Sequence, residues 1–401
     1  VTGDMGISKE GHKKDSYTPG VEVVGKQTIF AEGCRGSATM KVMKKFDLNA
    51  NSQMQTYALG VKELWVVDPS KHQPGLVIHT GGWPLGTDAF GGSFMYHAED
   101  NKVHVGYVVG LDYQNPHMSI YEEFQRWKTH PAIKGTFEGG ECIAYGARTI
   151  TEGGLQCLPK LHMPGALLAG DCAGFLVAAR IKGAHTAMKT GMLAAEAIAQ
   201  QADEIFAPEA KSLDLSNYDW KFKTSWVYEE MYKYRNFRPA VNNFGFYIGS
   251  GVAAFDQFVA RGRLPFTLKF KHEGDHHALK PASQCEKINY PKPDGKLTFD
   301  LLSNLIKSGT FHEEDQPVHL HVPKEELKGM KEENYNKYDG PEGRFCPARV
   351  YEWLEDEQQK IYLQINASNC LHCKACSIKD VGQRIEWRVP QGGGGPAYSE
   401  M

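Results

Sequence analysis

The sequence predicts a mixed fold, α+β and α/β together: a partial doubly wound, Rossmann-like unit, an antiparallel sheet inserted into it, and a compact C-terminal module. Three observations predict it. Residues 161–201 run strand, Gly170-Asp171, loop and helix; residues 55–150 break into short alternating stretches; and Cys370, Cys373 and Cys376 recur at every third position near the end of 401 residues.

Bulk properties narrow the classes. A chain of 401 residues exceeds what one core usually organises, roughly 250 to 300 residues, so two or three domains are expected. Nine cysteines are too sparse for a disulfide scaffold and odd in number, which points to a reducing compartment. A net charge of -3 leaves no basic footprint, so nucleic acid is not an expected partner. No apolar run reaches the about 18 residues of a membrane span, and the opening VTGDMGISKEG has no signal-peptide pattern.

Residues 3–20, GDMGISKEGHKKDSYTPG, read as turns, and VEVVGKQTIFA (21–31) reads as a strand with a Gly-Lys break. It runs into Glu32-Gly33-Cys34-Arg35-Gly36-Ser37. An acidic residue and glycines after an apolar strand suit a βα turn at the carboxyl edge of a parallel sheet, where cofactors sit, or simply a tight turn. A strand with no opening element before it implies that the chain starts inside a domain.

From 55 to 150, KELWVVD, GLVIHT, SFMYH and KVHVGYVVGLDY alternate between Gly, Pro and Asp breaks, as antiparallel strands do. Gly91-Gly92 lie between Phe90 and Phe94. Adjacent glycines there either let the backbone approach a flat ligand or form a hairpin turn.

In LHMPGALLAGDCAGFLVAARIKGAHTAMKTGMLAAEAIAQQ (161–201), the apolar strand ends in Gly170-Asp171 and a helix starts near Gly183. Asp171 is placed to accept from ribityl or ribose hydroxyls, and the helix start from Gly183 to Thr186 offers free N–H groups to an electron-rich ring edge. This is a flavin signal, and His185 and Thr186 read as packing groups. No G-x-G-x-x-G follows a strand, so the usual pyrophosphate turn is not in the chain, and loss of an N-terminal segment would explain it.

Residues 235–270 are apolar and aromatic, interrupted by Asp256 and Gln257 and flanked by Arg235, Arg238, Arg261, Arg263 and Lys269. They suit either a monotopic element in the headgroup region or a buried core helix. Residues 280–338 are polar and read as a connecting region.

Cys370-x-x-Cys373-x-x-Cys376 needs a fourth ligand from elsewhere. Cys346-Pro347, 24 residues upstream of Cys370, supplies the remote Cys-Pro of bacterial ferredoxins, while the local fourth position is Asp380. One [4Fe-4S] cluster therefore fits, and the three consecutive cysteines favour it over zinc, whose structural sites pair two short knuckles. His372, Lys374 and Lys379 form a cationic neighbourhood that raises the potential, or a solvated charged face. Cys34, Cys142, Cys157, Cys172 and Cys285 are scattered singly and read as buried or incidental thiols.

Together the segments KFDLNANSQMQTYALGVKELWVVD, GGSFMYH, VVGLDYQNP, FQRWKTHP, IKGAHTAMKTG, NYPKPDGKLTFDLLSN, YDGPEGRFCPARVYEW, INASNCLHCKACSIKD and WRVPQGGGGPAY resemble the electron transfer flavoprotein-ubiquinone oxidoreductase family over essentially the whole chain. The resemblance implies a partial FAD domain (1–54), an antiparallel-sheet quinone region (55–150), the rest of the FAD domain (151–205), a helical membrane-associated quinone region (206–275), and a connecting region with a ferredoxin-like iron-sulfur domain (276–401). It implies that Cys346, Cys370, Cys373 and Cys376 ligate a [4Fe-4S] cluster, that Gly91 and Gly92 contact the quinone headgroup through their backbone, and that the Gly170-Asp171 turn touches FAD. It further implies that residues 244–259 dip into the membrane.

The implied activity passes electrons from reduced electron transfer flavoprotein through FAD and the cluster to ubiquinone, at the matrix face of the mitochondrial inner membrane or at a bacterial cytoplasmic membrane. The FAD site is incomplete in this chain, because the family's N-terminal G-x-G-x-x-G unit has no counterpart. The alternatives are a membrane-associated FAD reductase of prenyl lipids and a non-catalytic four-cysteine metal module.

Overall fold

The computed structural model describes residues 2–209, 211–271 and 273–400. The chain divides into two compact units, each assembled from discontinuous segments. One comprises Glu22–Tyr57 and Ile150–Gly274; the other comprises Thr2–Val21, Ala58–Thr149 and Asp275–Met401.

The first unit is built on a three-stranded sheet. Thr28–Phe30 pairs in parallel with Ala166–Leu168, whose other edge takes His162–Met163 antiparallel. The parallel pair is what the strand-turn-helix pattern predicts, but the first strand is shorter than expected. Val21, Val23 and Val24 are exposed and gain no sheet neighbour, so only the residues after the Gly25-Lys26 break are extended into the ladder.

Each strand of the parallel pair is followed by a helix. Ser37–Lys45 follows the first, and Glu32 caps it, accepting from Thr39 N at 2.6 Å and Ala38 N at 3.2 Å. The acidic residue of this βα turn therefore serves its own helix start. Ala184–Gln200 follows the second strand and presents Leu193, Ala194 and Ala197 to a core containing Leu167, Leu168, Phe175, Tyr218 and Phe222. Within residues 206–275 the helices Asn217–Lys223, Trp226–Lys233, Phe237–Phe244 and Phe246–Ala254 follow one another.

The second unit carries a five-stranded sheet in the order Val77–Gly81, Gly91–His97, Lys102–Gly110, Tyr57–Val66, Glu141–Thr151. Its pairings through the first four strands are antiparallel, with Val61 opposite Tyr107 and Gly92 opposite Val108. The helix Ile120–Lys128, capped by Ser119, covers the sheet with Phe124 and Trp127.

Glu63, mid-strand and fully buried, is the exception to the apolar pattern. It accepts from Trp65 Nε1 (2.7 Å), Gln125 Nε2 (3.0 Å), Asn304 Nδ2 (2.7 Å) and Lys128 Nζ (2.8 Å), so the charge is both paired and hydrogen-bonded.

Two expectations about this unit need correction. The first residues are not loose turns of the flavin domain: Met5–Ile7 and Lys13–Thr18 form an antiparallel pair in the second unit, and Gly6 N donates to Gln391 Oε1 at 2.8 Å. Nor is 280–338 only a connector. The helix Leu301–Ile306 buries Asn304 and Leu305, and Leu320–His321 pairs with Glu386–Trp387. Polar composition hid these elements because few of their residues face the interior.

Candidate functional site

In the second unit, the one-turn helix Glu342–Phe345 delivers Cys346, and a hairpin of Tyr351–Glu355 and Ile361–Ile365 returns the chain to Cys370. Between the cysteines, His372 (φ 55°) and Lys374 (φ 73°) adopt left-handed backbone conformations that curl the loop back on itself. Cys376 opens the turn Cys376–Lys379.

All four cysteines are buried free thiols, and all four line one pocket walled by Leu320, Val350, Tyr351, Leu371 and Trp387. Burial, and then the neighbouring Cys376, pushes the Cys373 thiol up to about 12; burial likewise holds Cys346 well above its ordinary range. Four thiols gathered in an apolar wall ionise together only around a cation, which is what a thiolate-bound metal centre supplies. The donor set fits an iron-sulfur cluster.

The loop is tied to the sheet by hydrogen bonds that sequence reading missed. Thr149 donates to Cys373 O from both its hydroxyl (2.6 Å) and its amide (3.1 Å), Thr310 Oγ1 donates to Cys370 O (3.1 Å), Arg148 Nη1 to His372 O (3.0 Å) and Tyr145 Oη to Pro347 O (2.8 Å). The sequence reading singled out no strand at Glu141–Thr151, and the partners of that strand in the loop are remote in sequence.

The expected cationic neighbourhood also changes. Burial pushes His372 down to about 4, so it is neutral. Lys379 has no exposed surface and donates to the carbonyls of Leu111 (2.6 Å), Tyr113 (2.9 Å) and Asp275 (3.0 Å), which makes it an internal crosslink rather than a charged face. Lys374 Nζ lies 2.9 Å from the Trp387 ring centroid.

Gly91 and Gly92 do not form a hairpin turn. They open the strand Gly91–His97, flanked on both sides, and a Cβ on Gly92 would stand 2.1 Å from Thr80 O; one on Gly91 would stand 2.5 Å from Val108 O. Close passage of neighbouring backbone already demands glycine at both positions.

In the first unit, Gly170 (φ 68°) turns the chain after Ala166–Leu168, and its amide donates to Thr190 Oγ1 at 3.0 Å. A Cβ on Gly170 would lie 3.2 Å from Ala187 Cβ, so the turn sits directly on the helix. Asp171 accepts from the Thr151 hydroxyl. Gly183 is the N-cap of Ala184–Gln200, whose first-turn amides lack an intrahelical partner. Thr186, expected among the cofactor contacts, is fully buried, and its one hydroxyl proton is engaged by the carbonyls of Phe175 and Gly183 (2.8 Å). Its side chain braces the helix start and leaves no donor for a ligand. The turn and helix start otherwise fit a flavin nucleotide, and a small concavity in the same unit is lined by Gly153, Leu176, Val177, Tyr234 and Arg238.

The helices Phe237–Phe244 and Phe246–Ala254 pack through Gly249, where a Cβ would meet Val241 Cα at 2.4 Å. Beyond them Tyr247, Ile248, Phe255, Phe258 and Val259 are exposed, Phe258 by 82%. Arg261, Arg263 and Lys269 are exposed nearby in sequence, but Arg235 and Arg238 are not flanks of this patch. Arg235 is buried and donates to the carbonyls of Gly262 (2.7 Å) and Leu264 (2.6 Å), and Arg238 Nε donates to Glu152 at 2.9 Å. Both hold the helices in place from inside. Among the described residues no helix is long and apolar enough to cross a membrane.

Two sequence profiles match the chain. One, described as electron transfer flavoprotein-ubiquinone oxidoreductase, 4Fe-4S, covers residues 295–399; the other, described as ETF-QO, ubiquinone-binding, covers residues 57–150. Three mitochondrial electron transfer flavoprotein-ubiquinone oxidoreductases match all of this chain. That of Arabidopsis thaliana is 51% identical over 62% of its own length, that of Bos taurus 51% over 65%, and that of Dictyostelium discoideum 49% over 67%.

The chain belongs to the electron transfer flavoprotein-ubiquinone oxidoreductase family.

It spans just under two thirds of the length of the first two relatives. Among solved structures, a geranylgeranyl bacteriochlorophyll reductase-like protein of Thermoplasma acidophilum overlaps 49% of this chain and 46% of its own, at TM-score 0.36 and 17% identity, which is too distant to support any argument. The segment matched by the family's 4Fe-4S profile contains Cys346, Cys370, Cys373 and Cys376 together, and the ubiquinone-binding profile spans the sheet that holds Gly91 and Gly92.

Proposed function

We propose that the protein containing this chain oxidises reduced electron transfer flavoprotein and reduces ubiquinone at a membrane surface. Cys346, Cys370, Cys373 and Cys376 hold a [4Fe-4S] cluster; Gly170, Asp171 and the helix start at Gly183 contact FAD; Gly91 and Gly92 offer backbone to the quinone headgroup. When bound, the two groups supply carriers that accept electrons from a protein donor and release two of them to a quinone. The chain's residues do the positioning. Leu320, Leu371 and Trp387 exclude water from the cysteine cavity, and the Thr149, Thr310 and Tyr145 hydrogen bonds fix the loop that carries it.

The exposed aromatics Tyr247, Phe255 and Phe258 enter the headgroup region and give a lipid-soluble acceptor access, and the nearby exposed cations face anionic lipid. The mitochondrial names of the relatives support a mitochondrial location, and the matrix face of the inner membrane is our further reading of it.

The observation that carries the proposal is the convergence of four buried thiols on one cavity inside the segment that matches the family's 4Fe-4S profile. The test is ubiquinone reduction by reduced electron transfer flavoprotein, with iron and acid-labile sulfide assayed on the full-length protein purified without air. Turnover with about four irons and four sulfides supports it; zinc without sulfide, or reduction of a prenyl double bond in place of quinone, overturns it.

A further inference from the structure

His312, His319 and His372 of the second unit converge on a point that the proposed electron transfer does not use. Their ligand atoms all lie within 4.8 Å of one another, and His312 and His319 are both at least 95% buried. The His312 and His319 rings stack at 5.1 Å, and His372 stands against both, at 5.0 and 5.5 Å between ring centroids.

Two features make this more than a packed aromatic cluster. His312 Nδ1 donates to the carbonyl of Ser368 at 3.0 Å, which fixes the tautomer and leaves Nε2 to accept from His372 Nε2–H at 2.8 Å, a proton whose place a metal ion shared by the two rings takes. Donation of the outer ring nitrogen to a backbone carbonyl is how proteins orient imidazoles that bind metals. His319 Nε2, sealed from solvent, has no hydrogen-bond partner. A buried nitrogen left in that condition is costly, and coordination removes the cost.

We infer that His312, His319 and His372 form a tri-histidine site for one divalent transition-metal ion of the zinc class, separate from the four-cysteine cavity. Three imidazoles and no carboxylate suit zinc, cobalt, nickel or copper over calcium or magnesium. With zinc-nitrogen bonds of 2.0–2.1 Å, tetrahedral ligand nitrogens stand about 3.3 Å apart, so the closest pair opens by about 0.5 Å on binding, and a fourth position remains for water.

The ion's role is structural. His319 is anchored to the C-terminal segment by Arg388 N at 2.7 Å, Phe311 pairs with Gly395, and His372 lies between two of the cysteines, so one ion pins three segments around the cysteine loop. The ammonium of Lys374, over Trp387, opposes a second positive charge and weakens the site relative to an isolated tri-histidine centre.

The test uses full-length protein with its iron-sulfur cluster reconstituted under argon, stripped of loosely bound metal and titrated with Co2+. The expected result is one equivalent bound per chain, with weak visible d–d bands, no thiolate-to-cobalt charge-transfer band, and displacement by Zn2+. His319→Gln and, independently, His312→Gln reduce binding at least tenfold while sulfide content and cluster absorbance stay constant, which also shows that each variant folds. Failure of the wild type to bind Co2+, appearance of the thiolate band, or full binding by a folded variant overturns the site. Sulfide assay reports the cysteine cavity separately, so failure of the cluster assignment is not confused with failure of this one.

Discussion

Thr149 holds the carbonyl of Cys373 twice, through its hydroxyl at 2.6 Å and its amide at 3.1 Å. Thr149→Val keeps the amide bond and the side-chain volume and removes only the hydroxyl. The expected cost is about 1 kcal/mol in urea unfolding, with faster bleaching of the visible cluster absorbance in air. Unchanged stability and bleaching would show that the amide alone positions the loop.

Phe258, the most exposed aromatic of the helical tip, is expected to enter lipid. Burying a phenylalanine is worth about 1.5–3 kcal/mol, so Phe258→Asp is expected to weaken binding to vesicles of mixed zwitterionic and anionic lipid by at least about tenfold. Co-sedimentation measures it, and equal binding would remove this patch from the membrane face.

Gly92→Ala separates packing from ligand contact. An added Cβ meets Thr80 O at 2.1 Å, a backbone atom that cannot swing away, so a loss of about 1–3 kcal/mol is expected in thermal unfolding before any effect on quinone. A stable variant with raised KM for quinone would instead assign the glycine to the headgroup.

His162 gives the first unit a pH dependence. Burial lowers its pKa, but Asp219 at 3.6 Å and Asp214 on its other nitrogen together outweigh burial, and the net shift is upward; His162 and Lys160, against burial, hold Asp214 below the usual carboxylate range. A histidine raised in the folded state adds stability that is full below its ordinary pKa of about 6.5 and is lost as pH rises through the folded value. Because Asp214 is partly exposed and screened, the loss is about 1 kcal/mol or less. Urea midpoints are expected to fall from pH 6 to pH 8 in the wild type and to flatten in Asp214→Asn.

What could be read beforehand was whatever local pattern determines. The parallel strand before Gly170-Asp171, the alternating strands and the triplet of cysteines with its remote Cys346 all follow from spacing within a few dozen residues. Long-range satisfaction decided the rest. Arg235 and Arg238 looked like headgroup cations until their carbonyl and carboxylate partners appeared, and Lys379 looked like surface charge until three backbone oxygens were found around it. A charge-bearing letter does not say which way it faces. His312 and His319 carried one faint signal, two histidines seven apart in a polar segment, but their meeting with His372 depends on a fold that brings residues about sixty positions apart together.

The tie between Gly6 and Gln391 spans 385 positions in the second unit. During synthesis this hairpin waits, without its eventual neighbour, until Gln391 has left the ribosome, since non-local pairings cannot form before both partners exist. A truncation that removes Gln391 is expected to leave the Met5–Thr18 hairpin without this partner and open to proteases.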